Sequence, residues 1–99
     1  MNTLAKEKAE KAVAGKIIDR ALAKGYSISV NDGGAWVVKR STKRKEIYDA
    51  LASTDSDLLK IRDASGKNLG CIYLVWGNAP DELVNDYTDN PEIAELVGD

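Results

Sequence analysis

The chain has 99 residues, 43% of them hydrophobic, a formal net charge of -2, one cysteine and neither histidine nor phenylalanine. That length makes a single domain over residues 1–99 with a modest core. No apolar run approaches the roughly 18 residues of a membrane span. The start, "MNTLAKEKAEKAVAGK", lacks the apolar centre of a secretory signal, and a lone Cys71 leaves no internal disulfide. Together these point to a cytoplasmic protein without membrane contact.

Charge is unevenly spread. Met1 to Gly25 carries six basic and three acidic residues, and Tyr26 to Lys67 eight basic and six acidic. After Lys67 there is no cation, while Asp81, Glu82, Asp86, Asp89, Glu92, Glu95 and Asp99 supply seven carboxylates. Such asymmetry reads either as an oriented partner surface or as a solvated face beside the basic residues of the same fold.

In chain order, Thr3 to Lys24 predicts a helix, rich in Ala, Lys, Glu and Leu. Val13, Ile17, Ile18, Ala21 and Leu22 form its apolar stripe, and Gly25 ends it. Residues 1–11 offer a core little but Leu4 and alanines, so that end is expected to fray or project. In "YSISVNDGGAWVVKR", Tyr26, Ile28 and Val30 alternate with polar residues, "NDGG" supplies a tight turn, and Ala35 to Arg40 return. "STKRKEIYDALAS" predicts a short helix capped by Ser41 or Thr42, with Ile47, Ala50 and Leu51 inward. Asp55 to Asp57 end that helix.

"DLLKIRD" is a strand with Leu59 and Ile61 inward, "ASGK" a turn, and "NLGCIYLVWGN" a strand apolar on both faces, hence central and covered on both sides. Asp81 to Tyr87 reads as a short helix or irregular wrap, inside an acidic segment over residues 80–99. Asn90-Pro91 starts a final helical turn carrying Ile93, Leu96 and Val97. The expected class is α+β: a four-stranded, mainly antiparallel sheet with two main helices on one face, in the order α-β-β-α-β-β-short α.

Histidine's absence removes the commonest acid/base and metal-ligating side chain, and a lone mid-strand cysteine, expected to be buried and inert, builds no zinc site. "SGKNLG" lacks the spacing of a phosphate loop. Asp81, Glu82, Asp86 and Asp89 lack the alternating spacing of a calcium loop, so no catalytic residue, metal or cofactor is assigned. "KRSTKRK" offers Lys39, Arg40, Lys43, Arg44 and Lys45 to an anion or nucleic acid, with Trp36 or Tyr48 available to stack on bases. Three of these cations fall in the first turn of the expected helix, where the dipole disfavours them. Against nucleic acid stands the overall pI of about 5.1.

The "Gly-Tyr-x-Ile-Ser-Val-x-Asp-Gly" hairpin, "Arg-Ser-Thr" helix start, "Ser-Thr-Asp" corner and "Val-x-Gly-Asn … Asp-Tyr-Thr" close, spanning about Gly25 to Asn90, resemble small proteins carried by phages, prophages and plasmids. That group has no assigned activity. The resemblance implies genome context, and by analogy a protein that binds, and could inhibit, host machinery such as a nuclease, polymerase or defence complex. The expectation is a non-enzymatic accessory protein that binds a host protein through an acidic face of Asp81, Glu82, Asp86, Tyr87 and Asp89. The alternatives are a nucleic-acid module using the basic 39–45 segment and a small metal-dependent enzyme. Monomer and homodimer both stay open, since a basic helix start and an acidic tail can pair between copies.

Overall fold

A computed structural model describes the backbone of residues 3–98 and the side chains of residues 6–98; the Leu4 side chain and Asp99 lie outside the described residues. The elements are α1 (Thr3–Ala23), β1 (Ser27–Asn31), β2 (Trp36–Ser41), α2 (Arg44–Asp49), β3 (Ser56–Arg62), β4 (Asn68–Val75), a 3-10 turn (Pro80–Glu82), β5 (Val84–Tyr87) and α3 (Pro91–Val97). The class is α+β, as the alternation of periods predicts. The sheet, however, has five strands in the order β2-β1-β3-β4-β5, with every neighbouring pair antiparallel.

The fifth strand corrects the expected four. Asn85 and Asp86 disfavour a strand locally. Pairing with β4 overrides that preference: Val84 lies opposite Leu74, Asp86 opposite Tyr73 and Tyr87 opposite Ile72, with a bulge between. The following loop is stitched to the start of β4. Thr88 accepts the Cys71 amide on Oγ1 at 2.9 Å and donates its own to the Cys71 carbonyl at 3.0 Å, and the Asn90 side chain reaches the Leu69 carbonyl at 2.8 Å. Gly70 permits this approach. Its φ is +145, and a Cβ there would sit 2.7 Å from Thr88 and 3.0 Å from Ile93.

Ile28, Val30, Leu59, Ile61, Ile72 and Leu74 turn one face of the sheet into the core, where Ala14, Ile17, Ile18 and Ala21 of α1, Ile47 of α2 and Ile93 and Leu96 of α3 close over it. At an order of 2 kcal/mol for each fully buried large aliphatic, this layer carries most of the stability. The other face is open. A cross-strand row runs over it from Trp36 through Asn31, Leu58 and Tyr73 to Asp86. Strand β4 is therefore flanked on both sides by strands, as its double apolar pattern predicts, but covered on one face. Tyr73 is 38% exposed and Cys71 half-buried rather than buried.

Local signals explain the connections. Asp32 accepts the Gly34 and Ala35 amides on Oδ1 and Gly33 takes φ +102, closing the β1–β2 turn. Asn90 caps α3 by accepting the Ile93 amide at 2.8 Å. At α2 the expected cap is displaced: Lys43 occupies the cap position with no side-chain bond, and Ser41 Oγ accepts the Lys43 amide at 3.0 Å.

Candidate functional site

The strand order places the two charged segments on opposite edges of one sheet. Lys39 and Arg40 lie on β2, with Lys43, Arg44 and Lys45 just beyond it; Asp81 and Glu82 precede β5, Asp86 lies on it, and Asp89 follows. Four strand spacings, about 19 Å, separate the edges. Both edge strands carry bulges and charge, which discourages uncontrolled edge-to-edge pairing.

The basic edge is partly neutralised by its own chain. Arg44 Nε lies 2.6 Å from Asp19 and its guanidinium 5.0 Å from the Tyr48 ring centre, while Lys45 lies 2.6 Å from Asp49. The hydrogen bonds that Arg44 and Lys45 donate to these carboxylates, then the carboxylates' charge, raise both basic groups above their usual range. The unfavourable placement of cations in the first turn of α2 is thus offset by Asp19, Asp49 and the first-turn Glu46. Lys39, Arg40 and Lys43 make no ion pair among the described residues. Arg40 takes φ +48 in the β2 bulge, its amide donating to Ser29 Oγ at 2.9 Å.

On the acidic edge, Asp81, Glu82, Asp86 and Asp89 are exposed and make no ion pair among the described residues; Glu95, on α3, meets Lys24 at 2.6 Å. Tyr87 stands opposite Ile72, one strand position on from Asp86, half-buried; it lines a groove with Val13, Asp81, Val84 and Val97, and a shallower one with Asp86, Cys71 and Tyr73.

A second acidic locus has no counterpart in the sequence motifs. Where α1 passes the end of β4, a cleft of about 580 Å³ opens, lined among others by Glu7, Glu10, Lys11, Asp55, Trp76 and Gly77. Glu10 is 1% exposed, and both its carboxylate oxygens accept the Gly77 amide, at 3.0 and 3.2 Å. Lys6 donates to the Gly77 carbonyl. Residues of the segment expected to fray or project are therefore tied to the Gly77 loop. Asp57, also 1% exposed, accepts the Ala52 amide at 2.9 Å and the Trp76 indole N–H at 2.8 Å, both on Oδ2. Its Oδ1 has no partner among the described residues.

Burial pushes the Asp57 carboxyl above the usual carboxylate range, the Ala52 and Trp76 hydrogen bonds pull it down less, and Asp32 raises it slightly against a counter-effect from Lys11. A buried carboxylate oxygen without a donor costs roughly 1–3 kcal/mol. Asp57 shares strand parity with Leu59 and Ile61, Trp76 shares it with Ile72 and Leu74, and Glu10 continues the Ala14–Ile17–Ala21 stripe. Those periodicities are the signal the sequence holds for this site. Polar identity masks them.

Among the described residues no group of three or more His, Cys, Asp or Glu side chains could hold a metal ion, and no helix is long and apolar enough to cross a membrane. Comparison with protein-family models, with curated proteins and with solved structures gave no match.

Proposed function

We propose that the protein is a non-enzymatic binding module whose acidic β5 edge docks on a basic surface of a partner protein. The observation carrying this is the contrast in internal pairing: the chain satisfies part of its basic edge with Asp19 and Asp49, while Asp81, Glu82, Asp86 and Asp89 make no ion pair among the described residues. Unpaired carboxylates held on a folded edge steer a cationic partner and fix its register. The resemblance to phage- and plasmid-borne proteins makes a host protein that handles nucleic acid, a defence complex included, the natural class of partner, and inhibition by occupying its basic groove the natural outcome. The double variant Asp86→Lys/Asp89→Lys should lose a salt-sensitive partner in affinity capture from host lysate while keeping the wild-type melting temperature. Undiminished capture would remove the β5 edge from the interface.

A second reading is favoured by Lys39, Arg40 and Lys43, which make no ion pair among the described residues and lie on or just beyond β2, the strand that begins with Trp36, 40% exposed. It places single-stranded nucleic acid on the β2 edge. A salt-sensitive gel shift abolished by Lys39→Ala/Arg40→Ala/Lys43→Ala would favour it over protein docking.

A further inference from the structure

We propose that two copies of this chain pair through the open faces of their sheets, about a twofold axis parallel to β3. Strand β3 is the third of five, so the basic β2 edge and the acidic β5 edge lie two strand spacings, about 10 Å, to either side of it. A half-turn about an axis along β3, laid between two facing sheets, puts β2 of each copy over β5 of the other. The charges then meet at the same height. Lys39, one position after the core-facing Val38, shares the open face, and the Arg40 amide bonds Ser29 Oγ. From Ser29 the cross-strand row continues through Lys60 and Cys71 to Thr88. Thr88 stands between Asp86 and Asp89 in the chain. Because the half-turn preserves height along β3, Lys39 and Arg40 come over Thr88 of the other copy, with a carboxylate to either side of it.

Charge complementarity selects a second copy as the occupant of this face. Lys39 and Arg40 on one edge, and Asp86 and Asp89 on the other, make no ion pair among the described residues, and the half-turn offers each set to the other twice. The middle of the face is apolar where the axis passes. Leu58, half-buried, meets its own copy there, and Tyr73 and Trp36, 38% and 40% exposed, lie on the same row. Such a contact closes at two copies. Joining β2 to β5 edge to edge would instead run on as an open chain, and the bulges in both edge strands oppose it. Lys60 resists the face-to-face contact, because it lies on the axis and meets its own copy. Arg62, farther along β3, donates to its own Gly66 carbonyl at 3.1 Å. The pairing stands independently of the host-partner reading and competes with it for the same β5 carboxylates.

The test is sedimentation of the purified full chain against concentration and salt. The parent should pass from monomer to dimer at roughly tens of micromolar in low salt, as a small, partly polar interface implies, and added salt should move that transition about tenfold higher. Asp86→Lys/Asp89→Lys and Lys39→Glu/Arg40→Glu should each stay monomeric at that concentration, with melting temperatures near the parent's. Mixed one to one, they should dimerise again, since each then offers the other opposite charge at both edges. Leu58→Thr should weaken the dimer about tenfold at any salt; Tyr73→Thr, at an exposed position, serves in its place if Leu58→Thr lowers the melting temperature. Lys60→Ala should tighten the dimer about threefold by removing the facing cations.

A parent that is monomeric up to about 1 mM, a reversed variant that dimerises as the parent does, or a mixture that stays monomeric would each overturn the proposal. So would species that keep growing beyond the dimer, which would mean open edge-to-edge chains, or a dimer that Lys60→Ala weakens. A monomeric parent that binds oligothymidylate, less tightly as Lys60→Ala, would assign the face to single-stranded nucleic acid instead. The host-partner reading fails separately. If Asp86→Lys/Asp89→Lys loses lysate capture while the parent is monomeric, the edge reading stands and the dimer falls. If the parent dimerises and that variant is monomeric yet keeps capture, the dimer stands and the edge reading falls.

Discussion

Asp57 and Asp86 occupy neighbouring positions across the same strand, Asp57 opposite Leu74 and Asp86 opposite Tyr73, yet they live in different solvents. One step along β4 moves from the helix-covered face to the open one. Asp57 is enclosed, holds the Ala52 amide and the Trp76 indole, and is pushed by burial toward its neutral form. Asp86 is exposed, folds one oxygen onto the neighbouring Tyr87 amide at 2.8 Å, and makes no ion pair among the described residues. The difference separates two roles for one side chain. A buried acid organises its surroundings and is costly to remove; an exposed acid contributes little to the fold and is free to meet a partner.

The largest expected effect comes from deleting the enclosed acid. Asp57→Ala leaves the Ala52 amide and the Trp76 indole without their acceptor, at a cost of about 3 kcal/mol read from chemical denaturation. If stability fell by less than about 1 kcal/mol, the two aspartates would not differ as described.

A smaller effect lies in the pH profile. Because the folded protein holds the Asp57 proton more tightly than the unfolded chain does, that contribution is complete below the ordinary aspartate range, near pH 4, and is lost as pH rises through the raised value. Stability measured against pH should therefore move in favour of Asp57→Asn over the wild type as pH climbs from about 4 toward neutrality. Asp32 and Asp63, both lowered by hydrogen bonds from their own turns, act in the opposite sense and are common to both proteins, so they cancel in the difference. A flat difference profile would mean that burial does not dominate at Asp57.

The smallest effect on the fold belongs to the edge. Asp86→Lys/Asp89→Lys should change unfolding stability by no more than about 0.5 kcal/mol, even where it eliminates partner binding. A larger loss would show that the edge acids help hold β5 in place.

Much of this is legible in the letters. Period-2 alternation in Tyr26–Asn31 and Asp57–Arg62, the "NDGG" turn, the α1 stripe and the Asn90-Pro91 helix start each depend on neighbours a few residues away, so local sequence is enough to determine them. The charge asymmetry is equally plain, because it needs only counting. What the tertiary structure decided is everything that depends on meeting across the chain. Val84–Tyr87 becomes a strand because β4 offers it an unpaired edge, with Gly70 leaving room for Thr88, and not because its own residues prefer extension. Tyr87 is half-buried and Asp86 exposed because they pair with successive residues of β4, Ile72 and Tyr73. Glu10, Asp57 and Trp76 become one site because α1, β3 and the end of β4 converge. Sequence alone reads an acid as a surface residue; only the packed helix layer determines that two of them lie inside.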